Sequence, residues 1–187
     1  SGPAAGGGAG VKAKLDFSQL PPNTPAIITG GRTVIENIGI FGPGAAVGGT
    51  SVGVQVAFEA TLVNVVVHFF NIGCSVSGCF YTKLHNSYFR YCSLGLRAEN
   101  FHNLSVVECA FAGGVVGGRT AGQESGNGVL LLSGGECSIR GGSFEAFWGS
   151  GGYGIKALGN FLHLNVSDAY FEAYGDDTHQ SGPAILV

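Results

Sequence analysis

The feature that most constrains the fold is a short internal repeat. The unit is about twenty residues long and is lengthened in places by insertions. Each unit ends on a bulky apolar residue, here called the anchor: Ile40, Phe70, Phe89, Phe111, Phe144 and Phe171. A unit this short cannot bury its own apolar face, so neighbouring units have to stack on one another.

The residues before each anchor alternate between apolar and polar. An apolar row stands five positions upstream, at Ile35, Val65, Leu84, Val106, Ile139 and Val166. From the second unit on, a further inward row stands two positions earlier, at Val63, Thr82, Leu104, Cys137 and Leu164. The residues between the two rows are polar: Asn64, Lys83, Ser105, Ser138 and Asn165. This alternation predicts a short strand with one buried face.

Turn-forming residues separate that strand from the anchor strand. Three positions before the anchors stand Asn37, Val67, Asn86, Glu108, Gly141 and Asp168, which are mostly turn formers. A third alternating run starts at a glycine in five units: Gly53, Gly73, Gly95, Gly128 and Gly154. Three short strands per unit predict an all-β, single-stranded parallel β-helix of about six coils. We expect it to span residues 27–187, with residues 1–26 as an N-terminal extension that leads into and caps the first coil.

Composition excludes several classes of protein. Charged residues make up 11% of the chain, apolar residues 45%, and the net charge is −3. Disordered chains are richer in charge, and a nucleic-acid partner would need a basic surface that this chain lacks. No apolar run is long enough for a membrane-spanning helix, so we expect no membrane insertion.

Cysteine and histidine patterns give no sign of a metal site. The five cysteines are odd in number and contain no CxxC pair, which favours buried free thiols; a Cys74–Cys79 bridge is the local alternative. The five histidines lack the spacing of metal ligands. We therefore expect no metal and no cofactor.

Four segments carry a family resemblance. They are Leu15–Pro22, Thr33–Phe41, Ser143–Phe147 and Tyr170–Tyr174. With them the chain, from Leu15 to Val187, resembles the right-handed β-helix proteins of the pectate-lyase-like class, and most of all the body of bacteriophage tail spikes. The resemblance implies an extracellular or virion-attached homotrimer that binds bacterial surface polysaccharide, as tail spikes do, and often cleaves it. The fold itself hosts lyases, hydrolases, epimerases and non-catalytic adhesins, so it leaves the activity open.

Candidate catalytic residues lie beside the predicted loops. Insertions at Gly42–Ser51, Gly113–Asn127, Trp148–Tyr153 and Gly175–Ser181 are expected to wall one groove. Glu145 and Glu172 each follow an anchor, and in adjacent coils they would lie ~5 Å apart, near the ~5–5.5 Å of retaining glycosidases. Asp176 and Asp177 lie in the last loop and complete the catalytic candidates. Alternatively, the two glutamates form a solvated stripe or pair with Arg140 and Lys156.

Candidate sugar-binding residues come from the same loops and, in the case of Tyr174, from the residue just before the last loop. Exposed aromatic rings near carboxylates are suited to stacking on a sugar face. The candidates are Trp148, Tyr153, Tyr174, Glu124, Arg119 and His179. The alternative for the aromatic residues is a subunit contact or a cap.

Three functions remain open at this point. The first is a receptor-binding spike fragment, with glycoside hydrolysis favoured over lyase chemistry because Asp176 and Asp177 are adjacent rather than stacked. The second is a non-catalytic trimeric shaft or adhesin, favoured by the outward apolar residues Val66, Phe69, Val107 and Leu130. The third is a secreted monomeric polysaccharide lyase or hydrolase.

Overall fold

A computed structural model describes residues 13–45, 49–113, 127–145, 152–172 and 184–187, and this part of the chain is all-β, with strands and turns but no helix. The first strands are β1 (Ala13–Asp16), β2 (Pro25–Thr29), β3 (Arg32–Glu36), β4 (Ile38–Phe41), β5 (Val52–Val56) and β6 (Glu59–Val63). The next are β7 (Val66–His68), β8 (Ile72–Ser77), β9 (Tyr81–His85), β10 (Tyr88–Arg90), β11 (Leu94–Val107) and β12 (Ala110–Ala112). The last are β13 (Asn127–Arg140), β14 (Ser143–Glu145), β15 (Ile155–Ala157), β16 (Phe161–Ser167), β17 (Tyr170–Glu172) and β18 (Ile185–Leu186).

The strands pair in three parallel ladders. Ladder A is the seven-stranded sheet β1-β4-β7-β10-β12-β14-β17. Ladder B runs through β2, β5, β8, the first half of β11, the first half of β13, β15 and β18. Ladder C runs through β3, β6, β9, the second halves of β11 and β13, and β16. Each strand therefore pairs with its counterpart in the next repeat, one ladder step of ~4.8 Å away.

The prediction of parallel, mostly short strands is confirmed, with one difference in their number. In two repeats the strand of ladder B continues without interruption into that of ladder C, as the 14-residue strands β11 and β13. The pairing of these two strands is irregular between Ala98 and Phe101, where the chain turns from one ladder to the other. These repeats therefore have two strands where the sequence predicts three.

The corner between ladders C and A has the same backbone conformation in all six repeats. One residue at each corner is left-handed, with φ between 45° and 64°: Asn37, Asn64, Asn86, Glu108, Gly141 and Asp168. The amide of Asn64 donates to the side-chain oxygen of Asn37 at 2.8 Å, and the amide of Asn86 donates to that of Asn64 at 3.2 Å. Asparagine tolerates the left-handed conformation better than most residues. Because the repeats stack, each of these asparagine side chains can also form a hydrogen bond to the asparagine in the adjacent repeat. The predicted bend is confirmed at five of its six positions, and in the second repeat it lies at Asn64 rather than at Val67.

The predicted register of the second repeat is wrong by three residues. The residue level with Ile40 and Phe89 is Val67, not Phe70, and the residue level with Ile35 and Leu84 is Leu62, not Val65. The inward row contains Ala60 in place of Val63, the polar row Thr61 in place of Asn64, and the bend Asn64 in place of Val67. Phe70 resembles an anchor because it too is a fully buried aromatic residue, but it lies in the turn that follows β7.

A column of phenylalanine rings fills the interior along ladder A. The rings of Phe89, Phe111, Phe144 and Phe171 stack with centroids 5.2, 5.2 and 4.9 Å apart. The second residues of β11 and β13 in ladder B are glycines that lie against this column. A Cβ on Gly95 would lie 2.5 Å from Cδ1 of Phe111, and one on Gly128 would lie 2.9 Å from Cδ1 of Phe144. The glycines of ladder B, here called the glycine row, thus leave room for the phenylalanine rings, here called the ring row.

Variation in length is concentrated at one corner of the repeat. The connection from ladder C to ladder A is short in every repeat, as between Val107 and Ala110. The connection from ladder A to ladder B is short between Arg90 and Leu94 but long between Ala112 and Asn127. The insertions therefore follow the anchor strand, as predicted.

All five cysteines are buried free thiols, as predicted, and Cys74 and Cys79 are not bridged. Burial raises the pKa of Cys92, Cys109 and Cys137 to about 12, so these thiols stay protonated.

Candidate functional site

One row of residues that pair with one another runs along ladder A where its strands end. The row, here called the outer row, consists of Asp16, Phe41, His68, Arg90, Ala112, Glu145 and Glu172. Five members follow directly on a buried residue of ladder A, so strand alternation turns their side chains outward: Phe41, His68, Arg90, Ala112 and Glu145. The outer row lies next to the corner where the long connections leave the ladder.

The predicted shared register of Glu145 and Glu172 is confirmed by the pairing of their backbones. The ion-pair partner of Glu145 is Arg90, with Nη2 and Oε2 4.0 Å apart, rather than Arg140 or Lys156. Arg90 lies two ladder steps away, and the small side chain of Ala112 between them lets the two charges approach. Both side chains keep about a third of their surface exposed, so the pair can still donate and accept hydrogen bonds.

Two exposed aromatic rings stack at the corner beside the outer row. Phe69 and Tyr91 follow His68 and Arg90, and their rings are nearly parallel, at 8°, with centroids 5.3 Å apart. They are 37% and 38% exposed. Both residues have a left-handed backbone, with φ of 65° and 54°, which is uncommon for a bulky side chain and concentrates at functional sites. We call this pair the aromatic platform.

His68 supports the platform from below. Its ring meets Phe41, Phe69 and Tyr91 edge-on, with centroids 5.2, 5.6 and 5.5 Å away. Its Nε2 is buried without a hydrogen-bond partner. Burial, and secondarily the positive charge of Arg90, lower the pKa of His68 to about 4. The imidazole is therefore neutral at physiological pH and acts as a third aromatic ring.

We expect acid to destabilise the protein through His68. The unfolded chain binds a proton at this group near pH 6.5 and the folded chain only near pH 4, so the stability present above pH 6.5 falls as the pH drops to about 4. The loss is about 2 kcal/mol after allowance for the partial exposure of the ring. Urea unfolding of wild type and His68→Gln at pH 7, 5.5 and 4 measures it. In His68→Gln the free energy of unfolding should no longer show this part of the decrease between pH 7 and pH 4. The control His163→Gln, at an exposed histidine, should show the same decrease as wild type. Equal slopes for wild type and His68→Gln contradict the assignment.

The structure describes few of the predicted sugar-binding side chains. Trp148, Tyr174, Glu124, Arg119 and His179, and the catalytic candidates Asp176 and Asp177, lie outside the described residues. For Glu172 the backbone position alone is described.

The expectation of an exposed ring at Tyr153 is wrong. This residue is 8% exposed, Lys156 Nζ lies 5.4 Å from the centre of its ring, and burial raises its pKa to about 12. Its ring has too little free surface to stack on a sugar.

The outward apolar residues are less exposed than the sequence suggests. Val66 is 6% exposed, Val107 and Leu130 are half-buried, and Phe69 alone of the four reaches 37%. The exposure of Phe69 belongs to the aromatic platform, so this row gives little support to an association surface.

Sequence reasoning missed Arg90 and the aromatic platform. Arg90 could have been found, because it follows Phe89 as Glu145 follows Phe144. Tyr91 carries no such signal, since its stacking on Phe69 depends on the corrected register of the second repeat.

No group of three or more His, Cys, Asp or Glu side chains within the described ranges is arranged to hold a metal ion. No helix among the described residues is long and apolar enough to span a membrane. Comparison with known proteins adds no relative: no family model, no curated protein and no solved structure matches the chain.

Proposed function

We propose that this chain is part of a phage-type tail spike or receptor-binding protein, folded as a right-handed parallel β-helix, that binds bacterial surface polysaccharide along the outer row. The proposal places it outside the cell or on a virion, as a homotrimer. Its source is the resemblance of the four sequence segments, and its support is the arrangement of side chains beside ladder A.

The parallel ladders support the β-helix. Strands of ladders A, B and C alternate along the chain, and each pairs with its counterpart one repeat later. A chain that winds in one direction through three ladders has this pairing, with about six coils between β1 and β17.

The observation that carries the binding proposal is the aromatic platform beside the Arg90–Glu145 pair. Sugar rings present apolar C–H surface and a rim of hydroxyl groups. Exposed aromatic rings suit the C–H surface, and a guanidinium and a carboxylate that are each about one-third exposed suit the hydroxyl groups. The strain of two left-handed aromatic residues is explained if the rings have to stay at the surface for a ligand.

Hydrolysis is a further part of the proposal. Glu145 and Glu172 are one ladder step apart, ~4.8 Å at the backbone, which is close to the spacing of the two carboxylates in retaining glycosidases. Glu145→Gln and Glu172→Gln separate the two activities: loss of sugar release with retained binding assigns catalysis, and weaker binding alone assigns recognition.

We expect Tyr91→Ala to weaken binding of the recognised polysaccharide at least about tenfold, because it removes half of the stacking surface. An array of bacterial O-polysaccharides and capsular polysaccharides identifies the ligand, and titration with that ligand gives the affinity. Light scattering on the same samples records the assembly, for which a homotrimer predicts three times 19.0 kDa.

Tyr81→Ala is the matched control, since Tyr81 is 54% exposed but lies on ladder C. Its affinity should equal that of wild type. Unchanged affinity of Tyr91→Ala, with the fold intact, removes the platform from the binding site, and a chain that binds nothing on the array overturns the proposal.

A further inference from the structure

A second aromatic column stands at the corner between ladders B and C. Phe58 and Phe80 have ring centroids 6.0 Å apart, and Phe80 stacks on His102 at 4.6 Å with 6° between the ring planes. Phe58 is 43% exposed, Phe80 is 46% exposed, and His102 is exposed as well. Phe58 is tilted by 58° against Phe80, so the column consists of one stacked pair with a third ring beside it. Three neighbouring rings in contact with water are an unusual feature for a surface that only encloses a core.

The column is interrupted one step beyond His102. Gly135 lies level with His102, because its neighbours Gly134 and Glu136 pair with Phe101 and Asn103. A Cβ at Gly135 would meet the carbonyl oxygen and Cα of His102, so the close approach of the two strands requires glycine here. Consequently, among the residues that the structure describes, no side chain stacks on the face of His102 that is turned away from Phe80.

The next side chain of the column is Leu162, which is 85% exposed. It lies level with Gly135, because Gly134 pairs with Phe161 and Glu136 with His163. His102 and Leu162 are thus two ladder steps apart, ~9.6 Å, which leaves space for one ring at stacking distance from each. We call this space the glycine gap.

Polar groups flank the glycine gap on both sides. On the side of ladder C, Asn103, Glu136 and His163 form an outward row, and Glu136 and His163 are exposed. On the side of ladder B, the hydroxyl of Ser133 donates to the side-chain oxygen of Asn100 at 3.0 Å, and Asn100 is exposed. Amide, hydroxyl, imidazole and carboxylate groups suit the hydroxyls of a sugar, and the carboxylate of Glu136 disfavours an anionic ligand such as a nucleotide.

We propose that the glycine gap is a second carbohydrate site, which takes one neutral pyranose ring between His102 and Leu162. The ring lies with one face on the imidazole and the other on the leucine side chain, and its hydroxyls bond to Glu136 and Asn103. This site is on a different corner of the fold from the outer row and does not depend on the function proposed there.

The test is a titration of the protein with methyl glycosides of glucose, galactose and mannose, followed through the imidazole C–H resonances of His102. We expect a saturable shift with at least one glycoside, at millimolar concentration. In the Tyr91→Ala background, which removes binding at the aromatic platform, His102→Ala and Leu162→Ala should each weaken binding at least about tenfold, measured by ligand-detected saturation transfer. Both residues are exposed, so both variants should keep the wild-type unfolding midpoint.

Tyr91→Ala is the control for independence, since it alters the platform and leaves the gap intact; the shift of His102 should be unchanged in it. Absence of a saturable shift with every glycoside, or binding that both variants retain, overturns the proposal. A shift produced by p-cresol or indole but by no glycoside also overturns it, and assigns the gap to an aromatic side chain of a protein partner.

Discussion

Phe111→Ala is expected to lower the free energy of unfolding by about 4 kcal/mol, a large share of the 5–15 kcal/mol typical of a domain. Phe111 is 1% exposed, and its ring lies 5.2 Å from those of both Phe89 and Phe144. The lost ring leaves a cavity that its neighbours cannot fill, because hydrogen bonds to the adjacent strands fix its own strand on both sides. Urea unfolding followed by circular dichroism measures the change.

The matched control is Phe58→Ala, which removes a 43% exposed ring and should cost less than about 1 kcal/mol. A loss for Phe111→Ala no larger than that for Phe58→Ala would mean that the phenylalanine column does not carry the stability of the core.

Gly95→Ala is expected to cost about 2–3 kcal/mol although it adds a single methyl group. The new Cβ would lie 2.5 Å from Cδ1 of Phe111 and 2.8 Å from the carbonyl oxygen of Gly128. The ring has to move within a packed column, and the carbonyl belongs to the next strand of ladder B. Relief of either contact therefore disturbs a neighbouring repeat.

Gly30→Ala makes the same chemical change where a Cβ would meet nothing within 4 Å. It should be neutral or stabilise the protein by up to about 1 kcal/mol, because alanine reduces the entropy of the unfolded chain. Equal unfolding midpoints for Gly95→Ala and Gly30→Ala would contradict the close packing of glycine row and ring row.

The features that the sequence predicts correctly depend on residue type at a fixed period. Alternation revealed the strands of ladder C, and the glycine-led runs revealed ladder B, because each pattern follows from which side of a strand is buried. The error at Phe70 arose because an aromatic residue is buried equally well in a strand or in the turn after it. The left-handed corner would have corrected it, since Asn64 stands three residues before Val67 as Asn86 does before Phe89.

The candidate sites were harder to predict because they depend on relations across several repeats. Arg90 reaches Glu145 because Ala112 between them is small, which a comparison of adjacent repeats does not reveal. The glycine gap likewise depends on Gly135 standing between His102 and Leu162. Both sites depend on a position where a row lacks a large side chain, whereas a sequence repeat is recognised by the residues that recur.

The concentration of long connections at one corner has an evolutionary consequence. Residues can be gained or lost between Ala112 and Asn127 while the short turn from Val107 to Ala110 keeps successive strands in register. Selection for a new ligand can therefore act on one edge of the molecule, while the buried columns remain under separate selection for stability. Such a division allows recognition to diversify quickly on a body that changes slowly.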